Sequence, residues 1–323
     1  MLERTDFEKK QVVFVFSYQK EKISFRNDNL IVTDADKKVK YQTTCYRIFA
    51  VFVIGEATIT TGLISRAQKF GFVIYLMNRS FKLYSVIGNR MEGNTLLHRK
   101  QYTYDKSGLA QWLVGNKIHN QRETLNLIRR KSEACKDAIS ILDQYADRLD
   151  NEELTIESLL GVEGSASRVY FPQVFNNTCW NGRKPRLKSD RLNSTLDMGY
   201  NILFNMVDSL LQLYGFDVYC GVYHREFYMR KSLVCDIMEP MRTLIDYEIR
   251  KAINLKQIQD DDFQVINNQY VVNYKNSPKY VELFMNVLLD NKEEMFLFVQ
   301  GYYRSFMKGK PEKEYRRFGV VRK

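Results

Sequence analysis

Proline, cysteine, histidine and long apolar runs are all scarce in this sequence. Only five prolines occur in 323 residues, while 45% of the chain is hydrophobic, which excludes a disordered or low-complexity protein. The five cysteines are scattered and form no CxxC pair, which excludes a disulfide framework and a zinc ribbon. The most apolar run, Ile48–Ile54, is far shorter than the ~20 residues of a membrane-spanning helix.

The charge balance is strongly basic. Lys and Arg number 49 against 38 Asp and Glu, which gives a formal net charge of +11. Such an excess favours a polyanionic partner, because neutralised phosphates release their counterions. A protein that is merely soluble and basic explains the charge equally well. The opening MLERTDFEKK is too charged for a secretory signal peptide, so we expect a reduced, cytoplasmic protein with no membrane partner.

Strand-like patterns fill the first part of the chain. Asn27-Asp28-Asn29 predicts a tight hairpin, because Asn and Asp tolerate the positive φ angles of such turns. One short helix is predicted over Leu63–Lys69, ending near Gly71. The other apolar runs that predict strands are Val12–Phe16, Ile48–Ile54, Ala57–Thr61, Phe72–Met77 and Lys82–Ile87.

Helical periodicity replaces this pattern from about Leu96 onward. One apolar face predicts a helix that stops at Gly215, and it consists of Leu203, Val207, Leu210, Leu211 and Tyr214. We therefore predict an α+β protein with a small β-rich domain at residues 1–95 and a larger all-α domain at 96–323. The basic stretch Lys308–Lys323 is expected to be a mobile end, with phosphate contacts as the alternative.

Two acidic residues lie three positions apart in the apolar stretch SLVCDIMEPMR. On a helix, this spacing places Asp236 and Glu239 on one face. Carboxylates are rarely buried unless they are paired or bind a cation, so the pair indicates a metal ion or a compensating arginine. In the alternative interpretation the acids simply pair with Arg230, Lys231 or Arg242.

A histidine and a third acid complete the candidate site. His224 follows an apolar run shortly before the acidic pair, whereas the other two histidines lie among polar and basic neighbours. Glu163 lies between Gly161 and Gly164, and glycine allows close approach of a ligand or another backbone. The alternative is that Glu163 favours the positive end of a helix dipole. One Glu, one His and an acidic pair suit Mg²⁺ or Mn²⁺.

Several motifs, in one order, resemble the CRISPR-associated protein one family. They are GVEGSASRVYF, GVYH and SLVCDIMEPMR, together with RKQY at residues 99–102 and RLKSDRLN at residues 186–193. The resemblance implies a metal-dependent DNA endonuclease and integrase of CRISPR adaptation. Such an enzyme joins the 3′-hydroxyl ends of a protospacer to the leader and repeat of an array by transesterification.

The resemblance also implies roles for individual residues. Glu163, His224 and Glu239 match the catalytic ligands of a divalent metal, either Mg²⁺ or Mn²⁺. Asp236 matches the neighbouring acid, which either supports the ligands or replaces Glu239 as the third one. Residues that the resemblance places around the site, where they could contact DNA, are Arg168, Tyr170, Arg186, Arg230, Lys231 and Ser232.

The implied partners follow from the same resemblance. The first is a second copy of the chain, with the two copies paired largely through the β-rich domain. The others are the small CRISPR-associated protein two and double-stranded DNA with single-stranded 3′ ends. Whether a protospacer-processing nuclease also takes part is left open, and the implied location is the prokaryotic cytoplasm. Two alternatives remain: a plain metal-dependent nuclease without joining activity, and a non-catalytic nucleic-acid-binding scaffold whose acids form structural ion pairs.

Overall fold

The computed structural model describes residues 3–78, 83–88, 94–176, 178 and 180–319. The chain divides into two compact units, residues 1–92 and residues 93–323. The first unit is rich in strands and the second is mainly helical, which confirms the predicted α+β fold class. The first helix of the second unit begins at Thr95, so the predicted boundary between residues 95 and 96 lies just inside it.

The first unit is built on two sheets. A mixed sheet has the order β1-β5-β6-β7, in which β7 alone runs antiparallel to its neighbour. An antiparallel sheet has the order β2-β3-β4. The elements are α1 (Arg4–Glu8), β1 (Gln11–Phe16), β2 (Lys22–Arg26), β3 (Asn29–Thr33), β4 (Val39–Thr44), β5 (Ile48–Ile54), α2 (Thr61–Phe70), β6 (Val73–Met77) and β7 (Leu83–Gly88).

Local sequence signals explain most of this unit. All seven residues of β5 are buried, because the strand pairs with β1 on one side and β6 on the other. Asn27 and Asp28 have φ angles of 49° and 57° and form the predicted turn between β2 and β3. Gly71, with φ of 69°, ends α2 as predicted.

One strand prediction was wrong, and a second shifts slightly. Residues 57–60 form no strand, because the Thr60 side chain accepts a hydrogen bond from the Leu63 backbone N–H and so caps the start of α2. The alternating threonines there resemble a strand only in pattern. The strand predicted over Lys82–Ile87 is observed as β7, and residue 82 lies outside the described residues.

The described residues of the second unit form a helical assembly with one small hairpin. Its helices are α3 (Thr95–Thr103), α4 (Ser107–Asn126), α5 (Glu133–Asn151), α6 (Ile156–Val174), α7 (Arg191–Leu213), α8 (Ser232–Met238), α9 (Arg242–Asn254), α10 (Ser277–Asp290) and α11 (Lys292–Lys308). The hairpin pairs β8 (Phe263–Ile266) with β9 (Gln269–Val272). The prediction of an all-α domain was therefore wrong in this detail. Asn267 and Asn268 take the positive φ angles that the turn requires.

Helix α7 lies at the centre of this unit. The predicted apolar face is buried along its whole length, and the chain turns at Gly215 with φ of 75°. Gly199 allows close packing here, because a Cβ at that position would lie 2.5 Å from a methyl group of Ile245 and 2.9 Å from the Phe284 ring. A larger side chain at residue 199 would therefore displace its neighbours, as expected in a close-packed protein interior.

The end of the chain packs onto α4 as far as the structure describes it. Phe318 is completely buried, and its backbone N–H and C=O bond the side chain of Asn116. Arg316 pairs with Glu294, and Arg317 with Asp150. The expectation of a mobile end was therefore wrong for residues 309–319. Two buried aromatic residues, Tyr315 and Phe318, anchor this segment, while Arg322 and Lys323 lie outside the described residues.

Candidate active site

His224 is held in position by Asp236. Its Nδ1 lies 2.7 Å from Asp236 Oδ1, and Asp236 also accepts the backbone N–H groups of Val222, Tyr223 and His224. The Asp236 side chain is completely buried in α8. A carboxylate on Nδ1 favours the tautomer whose Nε2 carries a free lone pair, which is how metal-binding histidines are usually oriented.

A glycine makes this arrangement possible. A Cβ at Gly221 would lie 2.6 Å from the Ser232 Cβ and 2.8 Å from Asp236 Oδ2. The loop that carries His224 can therefore approach α8 closely only because residue 221 has no side chain. The motif GVYH brings the three backbone N–H groups onto one carboxylate.

Glu163 projects from the middle of α6. Its Oε1 lies 2.5 Å from Lys117 Nζ, and its Oε2 accepts a hydrogen bond of 2.5 Å from the Tyr223 hydroxyl. Because α6 begins at Ile156, Glu163 lies beyond the first turn, and the helix-dipole interpretation does not apply. Cβ atoms at Gly161 and Gly164 would meet nothing within 4 Å, so these glycines leave the helix surface beside Glu163 open rather than packing against another backbone.

Glu239 begins a short 3₁₀ turn after α8 and is buried. Its Oε1 lies 2.8 Å from an Arg242 guanidinium nitrogen and 3.8 Å from His224 Nε2. Burial alone would raise the pKa of Glu239, but Arg242 and Lys117 lower it to about 2. Glu239 is therefore a carboxylate at neutral pH.

One oxygen of Glu239 is incompletely satisfied. Glu239 Oε2 lies 2.8 Å from Lys117 Nζ, yet it is buried and accepts no well-aligned hydrogen bond from the described residues. Glu163 and Glu239 thus both contact Lys117 Nζ, and His224 Nε2 lies near Glu239. Two carboxylates and one imidazole are a donor set that suits Mg²⁺ or Mn²⁺. In the described part of the chain, no three His, Cys, Asp or Glu side chains are yet close enough together to hold a metal ion.

The ion pairs agree with the alternative interpretation of the acidic pair for Glu239 but not for Asp236. Arg242 pairs with Glu239, as the alternative interpretation anticipated. Lys231 instead pairs with Asp208 at 2.6 Å, and Arg230 lies beside the thiol of Cys235. Both carboxylate oxygens of Asp236 accept hydrogen bonds from the loop that carries His224, so no Arg or Lys pairs with it in the described ion pairs.

The residues predicted to lie near DNA fall into two groups. Arg168 on α6 and Arg186 before α7 are exposed, and Arg230 is partly exposed. The others are engaged inside the protein. Tyr170 is buried and donates a hydrogen bond to Asp246, Lys231 pairs with Asp208, and the buried Ser232 hydroxyl bonds the Arg225 carbonyl. We therefore leave Tyr170, Lys231 and Ser232 out of the surface that could contact DNA.

A family model described as CRISPR associated protein Cas1 matches residues 14–286 of this chain. The chain belongs to the Cas1 family. Over 225 residues it is 29% identical to the CRISPR-associated endonuclease Cas1 1 of Thermodesulfovibrio yellowstonii, covering 66% of this chain and 71% of that protein. The resemblance found in the sequence motifs is thereby confirmed.

Two solved structures share the fold of this Cas1-family chain. A Cas6-RT-Cas1–Cas2 complex matches with a TM-score of 0.78 and 23% identity, over 97% of this chain but 36% of that longer one. A casposase bound to integration product matches with a TM-score of 0.76 and 18% identity, covering 97% of this chain and 96% of that one. At these identities the likeness concerns the fold. No helix among the described residues is both long and apolar enough to span a membrane.

Sequence reasoning missed two residues of the site in this Cas1-family chain. Lys117 contacts both acids from α4, and Tyr223 donates a hydrogen bond to Glu163. Burial and the hydrogen bond to Glu163 raise the pKa of Tyr223, so its hydroxyl keeps its proton. The sequence signal that could have identified Lys117 is its place within a mostly buried stretch of α4, because an ammonium group without an acidic partner would be costly there.

Three exposed hydrophobic side chains, two of them aromatic, in the loop after His224 were also missed. Phe227, Tyr228 and Met229 are 75%, 85% and 73% exposed at the tip of the loop between His224 and α8. Large apolar residues in a row are seldom left in water without a binding role. They border an open pocket that is also lined by Tyr102 and Lys106.

Proposed function

We propose that this chain joins DNA ends to CRISPR arrays by divalent-metal-dependent transesterification. The observation that carries the proposal is the approach of Glu163 and Glu239 to one lysine ammonium, with the oriented Nε2 of His224 lying 3.8 Å from Glu239. The three side chains come from three separate segments. Membership of the Cas1 family and the fold shared with a casposase bound to integration product support the same chemistry.

Glu163, His224 and Glu239 would hold the metal ion, which we expect to be Mg²⁺ or Mn²⁺. When bound, the ion supplies polarisation of the target phosphate and offsets the negative charge that develops there. We assign the third ligand to Glu239 rather than Asp236, because Asp236 already accepts three backbone N–H groups and the His224 ring. Asp236 is thus a positioning residue for His224.

The reaction exchanges one phosphodiester for another. The 3′-hydroxyl oxygen of the incoming strand forms a bond to the target phosphorus, and the bond from that phosphorus to the leaving 3′-oxygen breaks. The attacking hydroxyl loses a proton and the leaving oxygen gains one, so no net cofactor is consumed. Water in place of the 3′-hydroxyl would give hydrolysis, which is the nuclease activity of the same site.

DNA would approach along the open surface of the helical unit. Arg168, Arg186 and Arg230 could contact phosphates, consistent with the net charge of +11. Phe227 and Tyr228 could stack on unpaired bases of single-stranded 3′ ends, because aromatic rings accept any base. The proposed substrate is therefore double-stranded DNA with single-stranded 3′ ends.

The proposed assembly contains two copies of this chain, paired largely through the β-rich unit, together with a Cas2 protein. The fold shared with the Cas6-RT-Cas1–Cas2 complex supports the Cas2 partner. Participation of a protospacer-processing nuclease in the prokaryotic cytoplasm stays a prediction.

Joining and cleavage can be separated in one assay. The wild-type chain and Cas2 are incubated with protospacer DNA and a supercoiled plasmid carrying a leader and repeat, with Mg²⁺, Mn²⁺ or EDTA. We expect plasmid-linked protospacer with either metal ion and none with EDTA, since removal of the ion removes the charge stabilisation at phosphorus. Metal-dependent nicking without joined product would indicate the plain nuclease. No product of either kind would favour the scaffold.

A further inference from the structure

Lys117 occupies the space between the two acids that we assign to the metal ion. Its Nζ lies 2.5 Å from Glu163 Oε1 and 2.8 Å from Glu239 Oε2, and its side chain is only 11% exposed. A single ammonium group therefore contacts one oxygen of each candidate ligand. Because Nζ lies within contact distance of both oxygens and two cations repel each other, a divalent cation cannot contact both oxygens while Nζ stays there.

We propose that Lys117 is a built-in counter-cation that holds the metal site together in the metal-free protein and leaves it when the divalent ion binds. This inference rests on the proposed metal-dependent function. Glu163 and Glu239 carry two negative charges, which the Lys117 ammonium and the Arg242 guanidinium together balance. At the same distance, a divalent ion attracts each carboxylate twice as strongly as an ammonium group does. Replacement of the Lys117 ammonium by the divalent ion is electrostatically favourable for that reason. The apparent affinity for the metal ion then depends on the competition between this ion and the ammonium group.

The acids have other contacts that would keep them in place after the exchange. Glu163 is held through Oε2 by the Tyr223 hydroxyl, and Glu239 is held through Oε1 by Arg242. The side-chain amide of Asn120, one turn after Lys117 on α4, bonds the carbonyl oxygen of Pro240 at 2.8 Å. The backbone beside Glu239 is therefore fixed to α4 independently of the ammonium group.

A wild-type labelling experiment tests the displacement directly. The full chain is treated with an amine-acylating reagent with and without Mn²⁺, and the modification of each lysine is measured by mass spectrometry. We expect Mn²⁺ to increase labelling of Lys117, because its amine is released from two carboxylates. Lys231, a second mostly covered lysine that pairs with Asp208, is the internal control and should not change.

A variant tests the competition. Replacement K117M removes the competing cation, so the Mn²⁺ concentration that half-saturates thermal stabilisation should fall by at least about tenfold. The metal-free variant should melt at a lower temperature than the wild type, because the two acids then lack their shared cation. K231M also breaks a buried ion pair, but it should leave the half-saturating concentration unchanged.

The outcomes separate this inference from the proposed function. If Mn²⁺ stabilises the wild type and the effect is lost in E163Q, the metal site stands. Unchanged Lys117 labelling together with equal or weaker Mn²⁺ binding by K117M would then overturn the counter-cation role alone. If Mn²⁺ neither stabilises the wild type nor changes any labelling, the metal site itself is overturned. Recovery of folded K117M only in the presence of Mn²⁺ would support the inference.

Discussion

Replacement of His224 by alanine should reduce metal-dependent joining at least about 100-fold, since loss of a group that merely orients a metal ligand already costs ~10–100-fold. His224 is expected to supply the one nitrogen ligand, and its Nε2 faces Glu239 at 3.8 Å. The ring is partly exposed, and Asp236 keeps its three backbone N–H donors without it, so the fold should survive. The measurement is the rate of joined-product formation at saturating Mn²⁺.

His98→Ala is the matched control for this variant. The His98 ring lies 2.9 Å from the Gly215 carbonyl through Nε2, outside the candidate site. Its joining rate should stay within a few-fold of the wild type. If H224A joined DNA as fast as H98A, His224 would not be a ligand, and the assigned set of three would be incorrect.

Replacement of Asp236 by asparagine should weaken metal-dependent activity by ~10–100-fold, although residue 236 touches no DNA in our account. One carboxylate oxygen becomes an NH₂ group. An NH₂ at the Oδ1 position would force His224 Nδ1 to accept, which places the proton on Nε2 and removes the lone pair for the metal. An NH₂ at the Oδ2 position would face the backbone N–H groups of Val222 and Tyr223.

Either orientation also leaves buried donors without an acceptor, so D236N should lose about 1–3 kcal/mol of unfolding free energy. The measurements are the Mn²⁺ dependence of joining and urea unfolding. Asp246→Asn is the matched control, since Asp246 is a buried acid that accepts hydrogen bonds from Tyr170 and Tyr200. It should leave the Mn²⁺ dependence unchanged. A D236N chain with wild-type Mn²⁺ dependence would contradict the positioning role.

Much of the fold could be predicted because the signals were local. Asn27 and Asp28 form the hairpin turn, and the apolar face around Val207 is buried along α7. The errors in the predicted strands arose where one sequence pattern is compatible with two local structures, or where a strand is too short and too exposed to show a clear pattern. Thr60 lies in an alternating run but caps a helix, and the strands β8 and β9 are short, with most of their residues exposed or only partly buried.

The site was only partly predictable for a different reason. Glu163, His224 and the acidic pair stand out because their residue types are costly or informative in apolar surroundings. Lys117 and Tyr223 acquire their meaning only from packing of α4 and the His224 loop against α6, which no spacing within the sequence encodes. Likewise, only the folded chain distinguishes Asp236, which accepts backbone N–H groups, from Glu239, whose oxygens contact only the side chains of Lys117, Arg242 and His224 among the described contacts.

The central claim is that Glu163, His224 and Glu239 bind one divalent ion. The most direct test is an anomalous difference map from crystals of the full chain soaked in Mn²⁺. We predict one strong peak in contact with all three side chains, with Asp236 behind His224 and the Lys117 ammonium moved away from the acids. A map with no peak there, or with a peak held by Asp236 in place of Glu239, would contradict the account.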